Sequence, residues 1–294
     1  GGPGTGKTTV IRCILEVLTQ AGNKVELAAP TGRAAKRMAQ AAEHEARTLH
    51  RLLEYAFDGE NGSFQRDESN PLECDAVIVD EVSMVDITLM RSLLRALPSH
   101  ARLVLVGDAD QLPSVGAGNV LGDILQSGVI PSVRLTDIFR QEGESRIVVN
   151  AHRVNQGQMP LLNEKQTDFF FERQEHFAQA AQSIVALVTR RLPGYLGYGE
   201  KERRNLAMHN IQVLAPAKKG ECGVAALNRA LQEALNPPGT GKPSLTWGEN
   251  IFRLGDKVIQ MKNDYQLEWR RKTPAGWEDG EGVFNGDVGF ITAV

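Results

Sequence analysis

The sequence predicts an α/β fold, a parallel sheet with helices on both faces. Three observations carry that prediction. A glycine-rich loop opens the chain, two short apolar runs end in acidic residues, and strand and helix periodicities alternate to about residue 139. Continuous apolar runs suit strands buried on both faces, as parallel sheets require.

The loop comes first. Gly1-Gly2-Pro3-Gly4-Thr5-Gly6-Lys7-Thr8 fits G-x-x-x-x-G-K-[ST] at every fixed position. Gly2, Pro3, Gly4, Thr5 and Gly6 form a turn whose backbone N–H groups can face phosphate oxygens, with Thr9 just behind it. Lys7 can reach β- and γ-phosphates, and the Thr8 hydroxyl can ligate Mg²⁺. Val10, Ile11, Ile14, Leu15 and Leu18 then recur at helical spacing, and Gly22 is the stop. A helix start there aims its partial positive charge at the phosphates.

The run Ala76–Val79 ends in Asp80-Glu81. Acidic residues at the carboxyl end of such a strand sit where open α/β sheets bind ligands. Asp80 suits Mg²⁺ and Glu81 suits polarisation of an attacking water; otherwise the pair is a solvated strand end. Asp86 reads as the N-cap of a helix that turns Leu89, Leu93 and Leu97 inward. Leu103–Val106 is a second buried strand, followed by Gly107-Asp108 and, on the loop beyond, Gln111. An amide at that place can touch a γ-phosphate or its water.

The pentapeptide Pro-Gly-Thr-Gly-Lys recurs at Pro238–Lys242. There Asn236 and Pro237 replace the first two glycines, and Pro243 replaces Thr8. The segment before it is helical, so this copy reads as a turn and not a phosphate site.

Composition bounds the rest. The chain has 294 residues, 41% hydrophobic and 23% charged, with net charge −3. It is long enough for two domains. No apolar run is long enough for a membrane span. Three cysteines at unrelated spacings argue against a disulfide frame or a Cys-based zinc site, and fit a cytoplasmic protein. A nucleic-acid partner has to be met by a local basic patch.

Taken in order, "GGPGTGKT", "APTGRAAKRM", "TLHRLL", "VIVDEVSMVD", "VGDADQLPSVGAGNVLGDI" and "LTDIFRQ" resemble the motifs of superfamily 1 helicases of the RecD type. That family comprises the exodeoxyribonuclease V α-chain and its stand-alone relatives. "QVLAPAKKGECGVAALNRALQ" and "GDKVIQMKNDY…VFNGDVG" are similar to its second motor domain. The resemblance implies a P-loop NTPase with a RecA-like sheet and a second, incomplete RecA-like domain. It implies an ATP- and Mg²⁺-dependent motor on single-stranded DNA and duplex junctions, of 5′→3′ polarity, in DNA repair or recombination. Nuclease or helicase partner subunits are implied for a RecD-like subunit of a complex. The alternative to an unwinding enzyme is an ATP-switched DNA-binding module.

By the same resemblance, Gln111 senses the γ-phosphate and Arg140 contacts it from the domain interface. Phe139 stacks on adenine or packs in the core. Thr31 and the helix after it grip a strand phosphate, with Arg33, Lys36, His50 and Arg51 as further DNA contacts. Lys36 and Arg37 read equally well as a solvated face. Residues 54–74 form a small hairpin insertion, a pin at the duplex junction or a surface loop. In the second half, Lys218 and Lys219 follow a strand "IQVLAP" at a sheet's carboxyl edge, and Asn263 is a contact on resemblance alone.

The domains expected are 1–140 and 141–294, with a small β-barrel insertion starting near 251–294. Helices are expected over "GESRIVVNAHRVNQGQ", "FAQAAQSIVALVTRRL" and Leu227–Leu235, a mobile connector over "PGYLGYGEKERRN", and a strand at "FITAV". The strand that precedes a phosphate loop and the family's last motifs are expected outside residues 1–294. On that expectation the isolated chain is a weak or inactive ATPase.

Overall fold

The computed structural model describes residues 1–58, 61–136, 145–163, 167–273, 276–283 and 285–294. Phe139 and Arg140 lie outside them.

Helix α1 spans Lys7–Gln20 and strand β1 spans Val25–Ala29. Helix α2 follows at Gly32–Ala42, then β2 at Ala46–Thr48 and a single helical turn, α3, at Leu49–Leu52. Strands β3 (Tyr55–Asp58) and β4 (Asn61–Phe64) pair antiparallel, so the insertion is a hairpin. Next come β5 (Ala76–Val79), α4 (Ile87–Ala96), β6 (Arg102–Leu105), α5 (Val120–Ser127) and α6 (Arg146–Asn155).

Four strands make one parallel sheet in the order β2-β1-β5-β6. The period of two along β5 sorts its side chains between two layers. Ala76 and Ile78 join Leu27, Ile11, Leu15 and Met38 on the face covered by α1 and α2. Val77 and Val79 join Leu49, Leu53, Val82, Val85 and Leu93 on the face covered by α3 and α4. All four β5 residues are fully buried. Each large aliphatic so buried contributes about 1.5–3 kcal/mol of transfer free energy. The expectation for β6 needs correction: Leu103–Leu105 are only half-buried. Among the described residues, β6 is the edge of the sheet, with no strand along its outer side.

Asp86 caps α4 as read from the sequence, its Oδ1 accepting the Leu89 N–H at 2.8 Å. Leu89 and Leu93 are buried and Leu97 half-buried.

Further on, α7 (Phe177–Ala186) runs through a π turn at Leu187–Arg191 into α8 (Leu192–Tyr195). Helices α9 (Glu200–Asn210) and α10 (Val224–Leu235) follow. Helix α9 overturns part of the expected connector. Its first turn is all polar, which hides the pattern, but Leu206 and Ala207 are buried, and Ala207 packs with Val188 and Leu235. The strand expected at Ile211–Pro216 is not one: no described strand pairs with it, and apolar sequence alone does not make a ladder.

The last stretch is short strands, as the sequence suggests. They are β7 (Ser244–Trp247), β8 (Asn250–Arg253), β9 (Lys257–Ile259), β10 (Asp264–Thr273), β11 (Gly276–Val283) and β12 (Val288–Phe290). They pair antiparallel as β7–β8, β9–β12 and β10–β11. Only Phe290 of "FITAV" lies in a strand. The second Pro-Gly-Thr-Gly-Lys is a turn after α10: the Lys242 N–H reaches the Gly239 carbonyl at 3.1 Å, and its ammonium bonds Asn236 and the Pro237 carbonyl.

By packing, one unit is Gly1–Phe170 with Gln260–Asp287, and the other is Phe171–Ile259 with Val288–Val294. No described helix is long and apolar enough to cross a membrane.

Asp86→Ala removes the α4 cap and is expected to lower stability by about 1 kcal/mol in urea denaturation. An unchanged midpoint would contradict the capping role.

Candidate nucleotide and DNA site

The loop Gly1–Gly6 turns tightly because Gly4 and Gly6 take φ of 78° and 80°, conformations that cost other residues steric strain. The buried Thr5 hydroxyl donates to the Gly2 carbonyl at 2.8 Å and closes the turn. Helix α1 starts directly behind it at Lys7. The Lys7 ammonium folds back onto the Gly1 and Gly2 carbonyls, at 2.6 and 3.1 Å, and lies 3.8 Å from Asp108. Asp108 is 2% exposed. It stands at the end of the β6 loop, where its carbonyl accepts the Gln111 N–H at 3.2 Å. Asp108 was not among the sequence candidates; its signal was Gly-Asp directly after an apolar strand.

Asp80 follows β5, and its Oδ1 accepts the Glu81 N–H at 2.8 Å. Glu81 is left-handed, with φ 53° and ψ 41°. That conformation costs a residue with a Cβ about 1–2 kcal/mol. Its Oε2 is buried with no hydrogen-bond partner among the described residues. Burial pushes both carboxyls above their ordinary range. The Asp80 and Asp108 charges push Glu81 further, while Lys7 and Arg37 pull it back. A strained backbone and an orphaned carboxylate oxygen together are the mark of a group arranged for a ligand.

A cavity of about 560 Å³ opens beside these groups, lined by Thr8, Thr31, Arg33, Arg37, Asp80, Glu81 and Gln111 among others. Thr8 and Gln111 are exposed to it. Thr8 and Asp80 offer hard oxygens, which suits Mg²⁺. Of the loop residues expected to bind nucleotide, Thr8 lines this cavity with Asp80, Glu81 and Gln111, and Lys7 pairs with Asp108 at the β6 end.

Of the residues expected to contact DNA, Thr31 caps α2, its hydroxyl accepting the Ala34 N–H at 3.2 Å. Arg33, Lys36 and Arg37 are exposed. Arg37 borders the carboxylate cavity, a direction the helical pattern alone left open. His50 packs at the hairpin base, its ring centroid 5.5 Å from Tyr55 and 5.6 Å from Phe64. Burial lowers its pKa and favours the neutral ring, against the opposing Asp86 charge. Arg51 is exposed on α3. Asn263 accepts the Asn285 N–H at 2.8 Å. Lys218 and Lys219 are exposed and belong to the other unit.

Known proteins bear on this geometry. A family model described as an AAA domain matches residues 1–117, over the loop, sheet and carboxylates. A second, the ATP-dependent RecD-like DNA helicase SH3 domain, matches residues 227–294. The ATP-dependent RecD2 DNA helicase of Deinococcus radiodurans is 37% identical over 99% of this chain and 35% of its own length. By sequence this chain is similar to the RecD-type helicases. The RecBCD enzyme subunit RecD of Mycolicibacterium smegmatis is 32% identical over 100% of this chain and 54% of its own length. The chain therefore spans about a third to a half of these curated relatives. A Pif1 helicase structure concerned with unwinding at forked double-stranded DNA aligns over 100% of this chain and 66% of its own, at 18% identity and TM-score 0.49.

The raised carboxyl pKa values make a stability prediction. A folded-state pKa above the unfolded value favours the fold at acid pH, and that contribution is lost as pH rises through the folded pKa. Glu81→Gln is thus expected to raise the thermal midpoint of the nucleotide-free protein at pH 7. The gain over wild type should shrink below the ordinary carboxylate range. Equal midpoints at pH 7 would contradict the buried charge.

Proposed function

We propose that this chain is the motor part of an ATP-dependent DNA helicase that translocates along single-stranded DNA. The observation that carries the reading is the unpartnered Glu81 Oε2 beside Asp80, Thr8 and Gln111. A site that only bound nucleotide would have no use for a strained, orphaned base.

In this reading the loop amides of Gly2–Gly6 hold the phosphates, with Thr9 supporting the first turn of α1. Lys7 leaves its loop carbonyls and Asp108 to neutralise the β- and γ-phosphates. Thr8 and Asp80 would hold Mg²⁺, which would supply charge neutralisation at the phosphates. Glu81 orients and deprotonates the attacking water, and Gln111 reports on the γ-phosphate. Arg140 and Phe139 complete the ATP site on family resemblance.

Thr31, Arg33, Lys36 and Arg51 grip strand phosphates, with His50 beside the hairpin. On family resemblance, Asn263 and, in the other unit, Lys218 and Lys219 are further DNA contacts. Phosphate grip then dominates, because aromatic residues are only 6% of the chain and stacking platforms are few. The hairpin meets the duplex junction. The functional division is a first motor domain over 1–140 and a second over 141–294 that carries the SH3 element. Family resemblance supports 5′→3′ movement, a role in DNA repair or recombination and a cytoplasmic setting. The similarity to a RecBCD subunit supports a second arrangement, the same motor beside nuclease and helicase partner subunits.

In the full-length protein, Lys7→Ala is expected to abolish ATP-driven unwinding of a tailed duplex while single-strand binding persists. Fluorescence strand displacement and anisotropy read the two separately. Unwinding that survives the substitution would sink the motor assignment.

A further inference from the structure

Helix α2 bears on both halves of the site. At its start, Thr31 caps the helix at the place assigned to a strand phosphate. Arg37 lies six residues on, about 9 Å along the axis at 1.5 Å per residue. Between them, Ala35 is buried, and just past Arg37 Met38 packs with Leu27 and Ile78. These residues tie α2 to the sheet along its length.

Arg37 borders the cavity that Asp80 and Glu81 also line. Lys7, a second cation near them, is already engaged by two loop carbonyls and Asp108. Arg33 lines the cavity too, and the Lys7 and Arg37 charges pull the Glu81 pKa down against those of Asp80 and Asp108. The Glu81 Oε2 has no partner fixing it. A planar guanidinium fork is well matched to orient such a carboxylate.

We propose that Arg37 is the positioning residue through which single-stranded DNA held at the start of α2 sets Glu81 for hydrolysis. The inference rests on the motor reading above. A strand phosphate on α2 shifts the helix, Arg37 moves with it, and the carboxylate follows. Arg33 and Lys36 serve affinity, and Arg37 serves turnover.

The test compares full-length wild type, Arg37→Ala and Arg37→Lys with an oligothymidine. It measures kcat at saturating DNA, KM for ATP, and DNA affinity by anisotropy. Circular dichroism melting checks folding, and Arg37→Lys supplies a variant that keeps charge and bulk. Arg37→Ala is expected to lose roughly tenfold or more in kcat, with KM and DNA affinity within about threefold of wild type. Arg37→Lys is expected to recover only part of the loss, because an ammonium lacks the fork. Wild-type kcat in Arg37→Ala at saturating DNA overturns the inference, whether DNA affinity falls or not. Wild-type turnover that DNA does not raise overturns the motor reading and this inference with it.

Discussion

The site depends on the parallel register of three short apolar strands. Ala28 of β1 pairs with Val79 of β5, and Val79 pairs with Leu105 of β6. The strands therefore end level, and the chain leaves all three at one edge. Thr31 follows two residues after β1, Asp80 and Glu81 directly after β5, and Asp108 three residues after β6. No long-range side-chain contact is needed to assemble them. A slip of one residue in β5 would move Ile78 and Val79 to the wrong layers and lift the carboxylates off the edge.

That arrangement sets charge against burial. Asp80, Glu81 and Asp108 crowd a half-buried space, and among the described residues only Asp108 of the three has an ion-pair partner, Lys7 at 3.8 Å. Glu81 adds a left-handed backbone. The packed layers on either side of β5 offset these costs, with Leu27, Ile78 and Leu93 fully buried. The stability stored in the core is what lets the site hold an unsatisfied carboxylate in the absence of ligand.

Much of this was legible in the sequence, because its signals are local. A phosphate loop is a spacing of glycines, a buried parallel strand is an apolar run, and the Asp86 cap precedes a helical repeat. The hairpin at Tyr55–Phe64 falls within the insertion expected at residues 54–74. What stayed hidden depends on partners distant in sequence. Ile211–Pro216 reads as a strand until the lack of a described ladder partner is seen. Helix α9 hides behind Glu200-Lys201-Glu202-Arg203-Arg204, a turn with nothing to bury. Arg37 reads equally as a DNA contact or a solvated side chain, because periodicity does not show a cavity. The interleaving of the packed units, with Gln260–Asp287 returning to the first, leaves no mark in composition.

The central claim is that Glu81 acts on the attacking water and does not merely shape the nucleotide pocket. Single-turnover hydrolysis by full-length Glu81→Gln, with Mg²⁺-ATP affinity measured in parallel, tests it most directly. A general-base role for Glu81 predicts binding close to wild type and hydrolysis slowed by about 10²–10⁴-fold, the usual worth of a positioned general base. Hydrolysis at the wild-type rate, or its loss together with nucleotide binding, would contradict it.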